Sequence, residues 1–149
     1  MTAHSDIKLF MRIEPDVPSL THQNGIEPFV RRDGKLGIRK TRELCNLESK
    51  FVSLLHKARP SEPWNCPIHL TTVWKFLAPK KVKFSGSDVK WKTTKPDTEN
   101  LLKTLKDCMK VAGYFVDDAL VCLDTIGKVW VPETAEHGIE IRLHDLTEE

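Results

Sequence analysis

Four carboxylates in two pairs are the residues best suited to chemistry in this sequence: Asp97 and Glu99 in KPDTENLLK, and Asp117 and Asp118 in GYFVDDAL. Clustered carboxylates repel one another, and a cation bound between them is stabilised by the same charges. Mg2+ takes a few carboxylates together with water and phosphate oxygens, so the two pairs, brought together, would make a hard-cation site. Lys103, one turn after Glu99, either pairs with it or meets a scissile phosphate and stabilises the charge that develops there. Each pair also has an ordinary explanation. Acids at the start of a helix accept free N–H groups and complement the positive helix end, and Asp is common in turns.

The elements that must position these residues follow from periodicity. Leu101, Leu102, Leu105, Cys108, Met109 and Ala112 fall on one face of a helix, with Glu99, Lys103, Lys106 and Lys110 opposite and Gly113 as the C′ residue. After Asp117-Asp118, ALVCLDTIGKVWV predicts a long strand, with Gly127 marking a bulge. A helix that begins at one pair and a strand that begins at the other are expected to bring both pairs to one edge of the fold.

Basic charge lies beside these acids. Seven lysines (75, 80, 81, 83, 90, 92 and 95) stand between positions 75 and 95 against one acid, Asp88. Residues 78–94 show no sustained period and are expected to be a mobile basic arm. An arm of this charge beside an acidic pocket suits a polyanion whose phosphate must meet a metal. Phe84 and Trp91, set among the lysines, either stack on bases or pin the arm to the core, and pinning is the expectation for Trp91.

The rest of the chain reads as scaffold. Ile7, Leu9, Met11 and Ile13 alternate in a strand that Pro15 and Pro18 close. Residues 14–40 are rich in turn residues, with turns expected at Asn24-Gly25 and Asp33-Gly34 and a surface run of Arg31, Arg32, Lys35, Arg39 and Lys40. That run serves either solubility or phosphate contacts. Residues 41–57 place Leu44, Leu47, Phe51, Leu54 and Leu55 at helical spacing after a Thr41 N-cap. In IHLTTVWKF the apolar residues hold the even positions 68 to 76, and Ile139, Ile141 and Leu143 alternate near the end. The expected fold is α+β: one small domain over residues 1–149, a mixed sheet with two helices packed on one face.

Composition narrows the function classes. The 149 residues are 40% hydrophobic and 30% charged with a net charge of +2, which is a globular composition. Cys45, Cys66, Cys108 and Cys122 form no C-x-x-C and have no histidine nearby at zinc-finger spacing, so they read as reduced. No histidines stand at i, i+4, no Ser or Cys sits in a nucleophile motif, and a Gly-rich phosphate loop is absent. With no signal-peptide pattern and no apolar run near 18 residues, a cytoplasmic protein without membrane contact or small-molecule cofactor is expected.

The run Lys95 to Lys103, matching K-P-D-x-[DE]-N-L-x-K, followed after a helix by paired aspartates before a strand, resembles the RusA-type Holliday-junction resolvases. The tail, a strand, a turn and a short final strand ending in IEIRL, agrees with this. The resemblance implies a small homodimeric, Mg2+-dependent endonuclease, with Mn2+ a possible substitute, frequently encoded by phages or prophages. Such an enzyme nicks opposing strands of a four-way DNA junction in recombination and repair. It implies that Asp97, Glu99 and Asp118 hold the metal, with Asp117 beside them and Lys103 as the essential lysine. DNA contacts would then fall on Lys80, Lys81, Lys83, Lys90, Lys92 and Asn100. The family's second acid is usually Asp, whereas Glu99 is one methylene longer, and a basic N-terminal segment is here delayed to Arg31 and Arg32. The rival readings are a non-catalytic junction-binding protein and a metal-dependent nuclease acting on other branched or single-stranded DNA.

Overall fold

A computed structural model describes residues 3–85 and 89–148. At its centre lies β4 (Ile68–Leu77), a ten-residue strand whose even positions are all buried and whose odd positions are half-buried. Strict alternation leaves such a strand one core face and one wetter face. Around it the sheet runs β1 (Ile7–Arg12), β7 (Gly138–Asp145), β4, β6 (Val121–Val131), β5 (Lys90–Trp91). β4 and β6 are parallel and every other neighbour is antiparallel, so the sheet is mixed. Parallel neighbours need a long crossover, and here it contains the second helix.

Helix α1 (Arg42–His56) starts at Thr41, whose hydroxyl accepts from the Leu44 N–H at 3.2 Å. It buries Leu44, Phe51 and Leu55. Helix α2 (Thr98–Ala112) buries the apolar residues that its periodicity predicts, from Leu101 to Ala112, and ends at Gly113 with φ 95°. The Gly113 N–H donates to the Met109 and Lys110 carbonyls, a left-handed ending that glycine adopts at little cost. Phe51, Leu55 and the α2 leucines join Ile68, Leu70, Trp74, Phe76, Ile139, Ile141 and Leu143 in one core. Both helices thus cover the same face of the sheet. The Tyr114 hydroxyl, fully buried, donates to the Leu55 carbonyl at 2.6 Å and ties the exit of α2 to the last turn of α1.

Several expectations are corrected. Residues 26–40 are not only turns. Strands β2 (Ile26–Val30) and β3 (Leu36–Lys40) form a hairpin around the expected Asp33-Gly34 turn, where Gly34 has φ 83°. The arm is not without structure either: Lys90 and Trp91 form β5, paired with Trp130 and Val129 of β6, while its residues 86–88 lie outside the described residues. Trp91 does not pin the arm by burial, since it is 77% exposed. The bulge is not at Gly127, which pairs in register with Val73. The register slips between Ile68 and His69, opposite Cys122. Finally, Asp118–Leu120 form a 3-10 turn, so the strand starts only at Val121.

Candidate metal centre and nucleic-acid interface

Asp97 occupies the N-cap position of α2, with extended backbone at φ −71° and ψ 149°, but its side chain does not cap. An N-cap Asp ordinarily accepts from the N–H two or three residues on. Here both carboxylate oxygens instead lie 3.0 Å from the Lys95 ammonium, on an exposed surface. Capping therefore does not account for this carboxylate. Glu99, exposed in the first turn, has no hydrogen bond or ion pair among the described residues, and neither does Lys103. Lys103 is not spent on pairing with Glu99, although the two are four residues apart on one helix face.

The segment leading into Asp97 is held from below by two lysines. Lys92 is buried and donates to the Thr94 hydroxyl at 2.6 Å and to the Lys95 carbonyl at 2.7 Å. Lys128 donates to the carbonyls of Thr94 and, at 2.8 Å, Pro96. Burial, and after it the nearby charge of Lys128, lower the Lys92 pKa. Lys92 consequently departs from the expected role of an exposed phosphate contact, because its ammonium is spent on the loop. Lys80, Lys81, Lys83 and Lys90 are exposed, as a phosphate contact requires. Asn100 donates to Gln23 at 2.6 Å, and the Thr104 hydroxyl accepts from the His22 N–H at 3.0 Å, so the turn before the hairpin is stitched to the start of α2.

Lys128 was not expected to matter. The signal was strand parity: its register with Trp74 puts it on the helix-covered face beside Asp124, Ile126 and Trp130, where a charge needs a partner.

The other acid pair lies elsewhere. Asp117 accepts from the Ala119 N–H at 3.1 Å and stands 4.0 Å from Lys110, in the last turn of α2. The Ala119 hydrogen bond, then contact with Asp118 and the charge of Lys110, hold its carboxyl below the usual range. Asp117 thus caps its own 3-10 turn, the ordinary role of Asp in a turn, whereas Asp97 leaves α2 without a side-chain cap. β6 then runs back along α2, with Lys106 pairing with Asp124 at 2.8 Å midway and Lys128 reaching the loop before Asp97.

The two pairs therefore sit toward opposite ends of a fifteen-residue helix that is itself about 22 Å long. This overturns the expectation that one edge of a single chain gathers them. Among the described residues, the one group of three metal-ligating side chains lying within 4.8 Å of one another is His4, Cys66 and Asp145. Each acid pair, on its own, still has the donor chemistry of a hard cation: exposed carboxylate oxygens, with Asp97 and Glu99 free of backbone caps. No helix among the described residues is long and apolar enough to cross a membrane.

Comparison with known proteins agrees with the motif. The crossover junction endodeoxyribonuclease rusA of Lactococcus phage r1t is 28% identical over 105 residues, covering 70% of this chain and 75% of the phage protein. The family model described as Endodeoxyribonuclease RusA matches residues 25–144, from the base of the hairpin to the end of the last strand and across both acid pairs. With four-fifths of its length inside that match, the chain belongs to the RusA endodeoxyribonuclease family.

Proposed function

We propose that the chain is a Mg2+-dependent endonuclease that resolves four-way DNA junctions by paired symmetric nicks, acting in the cytoplasm as a homodimer. Each metal site would take Asp97 and Glu99 from one copy and Asp118, with Asp117 beside it, from the other. The observation that carries this reading is the separation of the acid pairs by the full length of α2. One ion cannot bridge the length of such a helix, but two copies related by a two-fold axis can set opposite helix ends side by side. Two such sites match the two nicks that a symmetric junction requires. The hairpin supports a second copy as well: Ile26, Val30, Leu36 and Ile38 are exposed on one face of a two-stranded ribbon, and a ribbon of that kind is marginal without cover. A phage or prophage source is in keeping with the phage relative.

When bound, the ion, Mg2+ or Mn2+ in its place, supplies water activation and charge neutralisation at the scissile phosphate. The chain's own residues do the rest. Lys95 and the Lys92–Lys128 clasp fix where Asp97 stands. Lys103, exposed and unpaired, meets the charge that develops on the phosphate. Lys80, Lys81, Lys83 and Lys90 grip flanking phosphates, with Trp91 exposed beside them as a stacking surface. Asn100, engaged with Gln23, steadies the first turn of α2 rather than reaching out to DNA.

The test is cleavage of an end-labelled synthetic four-way junction, with and without Mg2+, by the wild type and Asp97→Asn. Paired nicks that need both the ion and Asp97 are expected. Tight binding without product would instead identify a junction-binding protein, and equal cutting of flaps or single strands a nuclease of broader choice.

A further inference from the structure

At the end of the sheet where β7 finishes and β4 begins, three side chains from distant parts of the chain converge. His4 Nδ1 lies 2.8 Å from Asp145 Oδ2 and 3.9 Å from the Cys66 sulfur. Cys66 and Asp145 are 8% and 4% exposed, whereas the His4 side chain is 49% exposed. We propose that His4, Cys66 and Asp145 form a second metal site, one for a borderline divalent ion of the zinc type, with water in the fourth position.

The donor set excludes the ion of the acid pairs. A thiolate, an imidazole and a carboxylate suit Zn2+ or Co2+, whereas Mg2+ takes oxygen. Tetrahedral bonds of about 2.0 to 2.3 Å put neighbouring donor atoms about 3.3 to 3.8 Å apart. The sulfur–imidazole distance is already close to that. The imidazole–carboxylate distance opens by about half an ångström when an ion replaces the hydrogen bond, and the exposed N-terminal segment is the part that moves.

The surroundings orient the donors. Asp145 Oδ1 accepts from the Thr147 N–H at 2.8 Å, which leaves Oδ2 turned toward His4. The His4 ring stacks on Trp64, with centroids 4.6 Å apart and planes 19° apart. Fixed outer partners of this kind set ligand orientation in metal sites. Trp64 in turn exchanges backbone hydrogen bonds with Tyr114 and Val116, just before Asp117. An ion here would clamp the N-terminus to the sheet beside the segment that carries the second acid pair. Binding forms the sulfur–metal bond and releases the Cys66 thiol proton to solvent.

The experiment is titration of the purified chain, stripped with a chelator, with Co2+. One equivalent is expected to produce a thiolate-to-cobalt charge-transfer band with tetrahedral d–d bands, and Zn2+ is expected to displace it. His4→Ala and Cys66→Ser should weaken binding by about tenfold or more. Cys45→Ser, Cys122→Ser and Asp97→Asn should leave the bands intact, which separates this site from the exposed thiols and from the acid pairs. Absence of the thiolate band in the folded wild type, or an undiminished Co2+ affinity in the His4→Ala variant, overturns the proposal. His4→Ala alters an exposed side chain, so it decides the matter even if Cys66→Ser fails to fold.

Discussion

The ammonium of Lys92 lies 4.2 Å from the centroid of the Trp130 ring, under the loop that carries Asp97 rather than on the surface of the basic arm. A cation over an indole face and bonded to the Lys95 carbonyl holds the loop before Asp97 from within.

Lys92→Met should therefore slow cleavage by up to about a hundredfold through displacement of Asp97, since small misplacements at a reacting centre carry costs of that order. The salt dependence of junction binding should stay unchanged. Lys80→Ala, Lys81→Ala, Lys83→Ala and Lys90→Ala should each reduce that slope by about 1. Binding measured across a salt series checks both halves, and a reduced slope for Lys92→Met would return it to the DNA surface.

Asp97→Asn and Asp118→Asn should each be inactive alone. If a site takes acids from two copies, mixing the two inactive proteins and letting subunits exchange rebuilds one complete site per mixed dimer. Single nicks in the mixture, with none from either parent, are the expected outcome in the junction assay. A mixture as inert as its parents would overturn a site shared between two copies.

Tyr114→Phe removes a buried hydroxyl that donates to the Leu55 carbonyl and leaves that carbonyl without this partner. The expected loss is about 1 to 2 kcal/mol, read as a lower urea midpoint at unchanged slope. The same burial pushes the Tyr114 phenol up to about 12, so the wild-type bond should persist well into alkaline solution.

Asp145 is held below the usual carboxylate range even though burial by itself would raise it, because hydrogen bonds from Thr147 and His4 outweigh that burial. A carboxyl depressed in the folded state stabilises the protein above its unfolded pKa, and that contribution is lost as pH falls toward the folded value. Stability in the presence of chelator should therefore drop below about pH 4. Asp145→Asn should be less stable at neutral pH and show a shallower drop. Denaturant midpoints from pH 7 downward give the comparison, and parallel curves would remove Asp145 as a cause.

Periodicity revealed the parts of the fold that bury a face. The even positions of β4 and the apolar stripe of α2 are buried as their spacing demands, because burial is what selects that spacing. The β2–β3 hairpin escaped because its alternating residues, Val30, Leu36 and Ile38, stay exposed, and Pro28 reads against a strand. Spacing also could not tell Lys92 from its neighbours, since one lysine of the arm differs from the next only by the ring it meets. At the candidate site the residue types carried the motif of the family to which the chain belongs, while the expected gathering of both acid pairs at one edge failed. Gly113 turns the chain so that Asp117 stays beside the last turn of α2, at the opposite end from Asp97.

Helix α2 is thereby a ruler as well as a wall of the core. One inserted residue would lengthen it by about 1.5 Å and rotate Glu99 by about 100° relative to Lys110. The apolar stripe could be redrawn to restore packing, but the phase between the two helix ends could not. On the proposed sharing of sites between two copies, tolerance to insertion in α2 should be set by cleavage as well as by packing, which would make helix length a functional dimension and not only a by-product of folding.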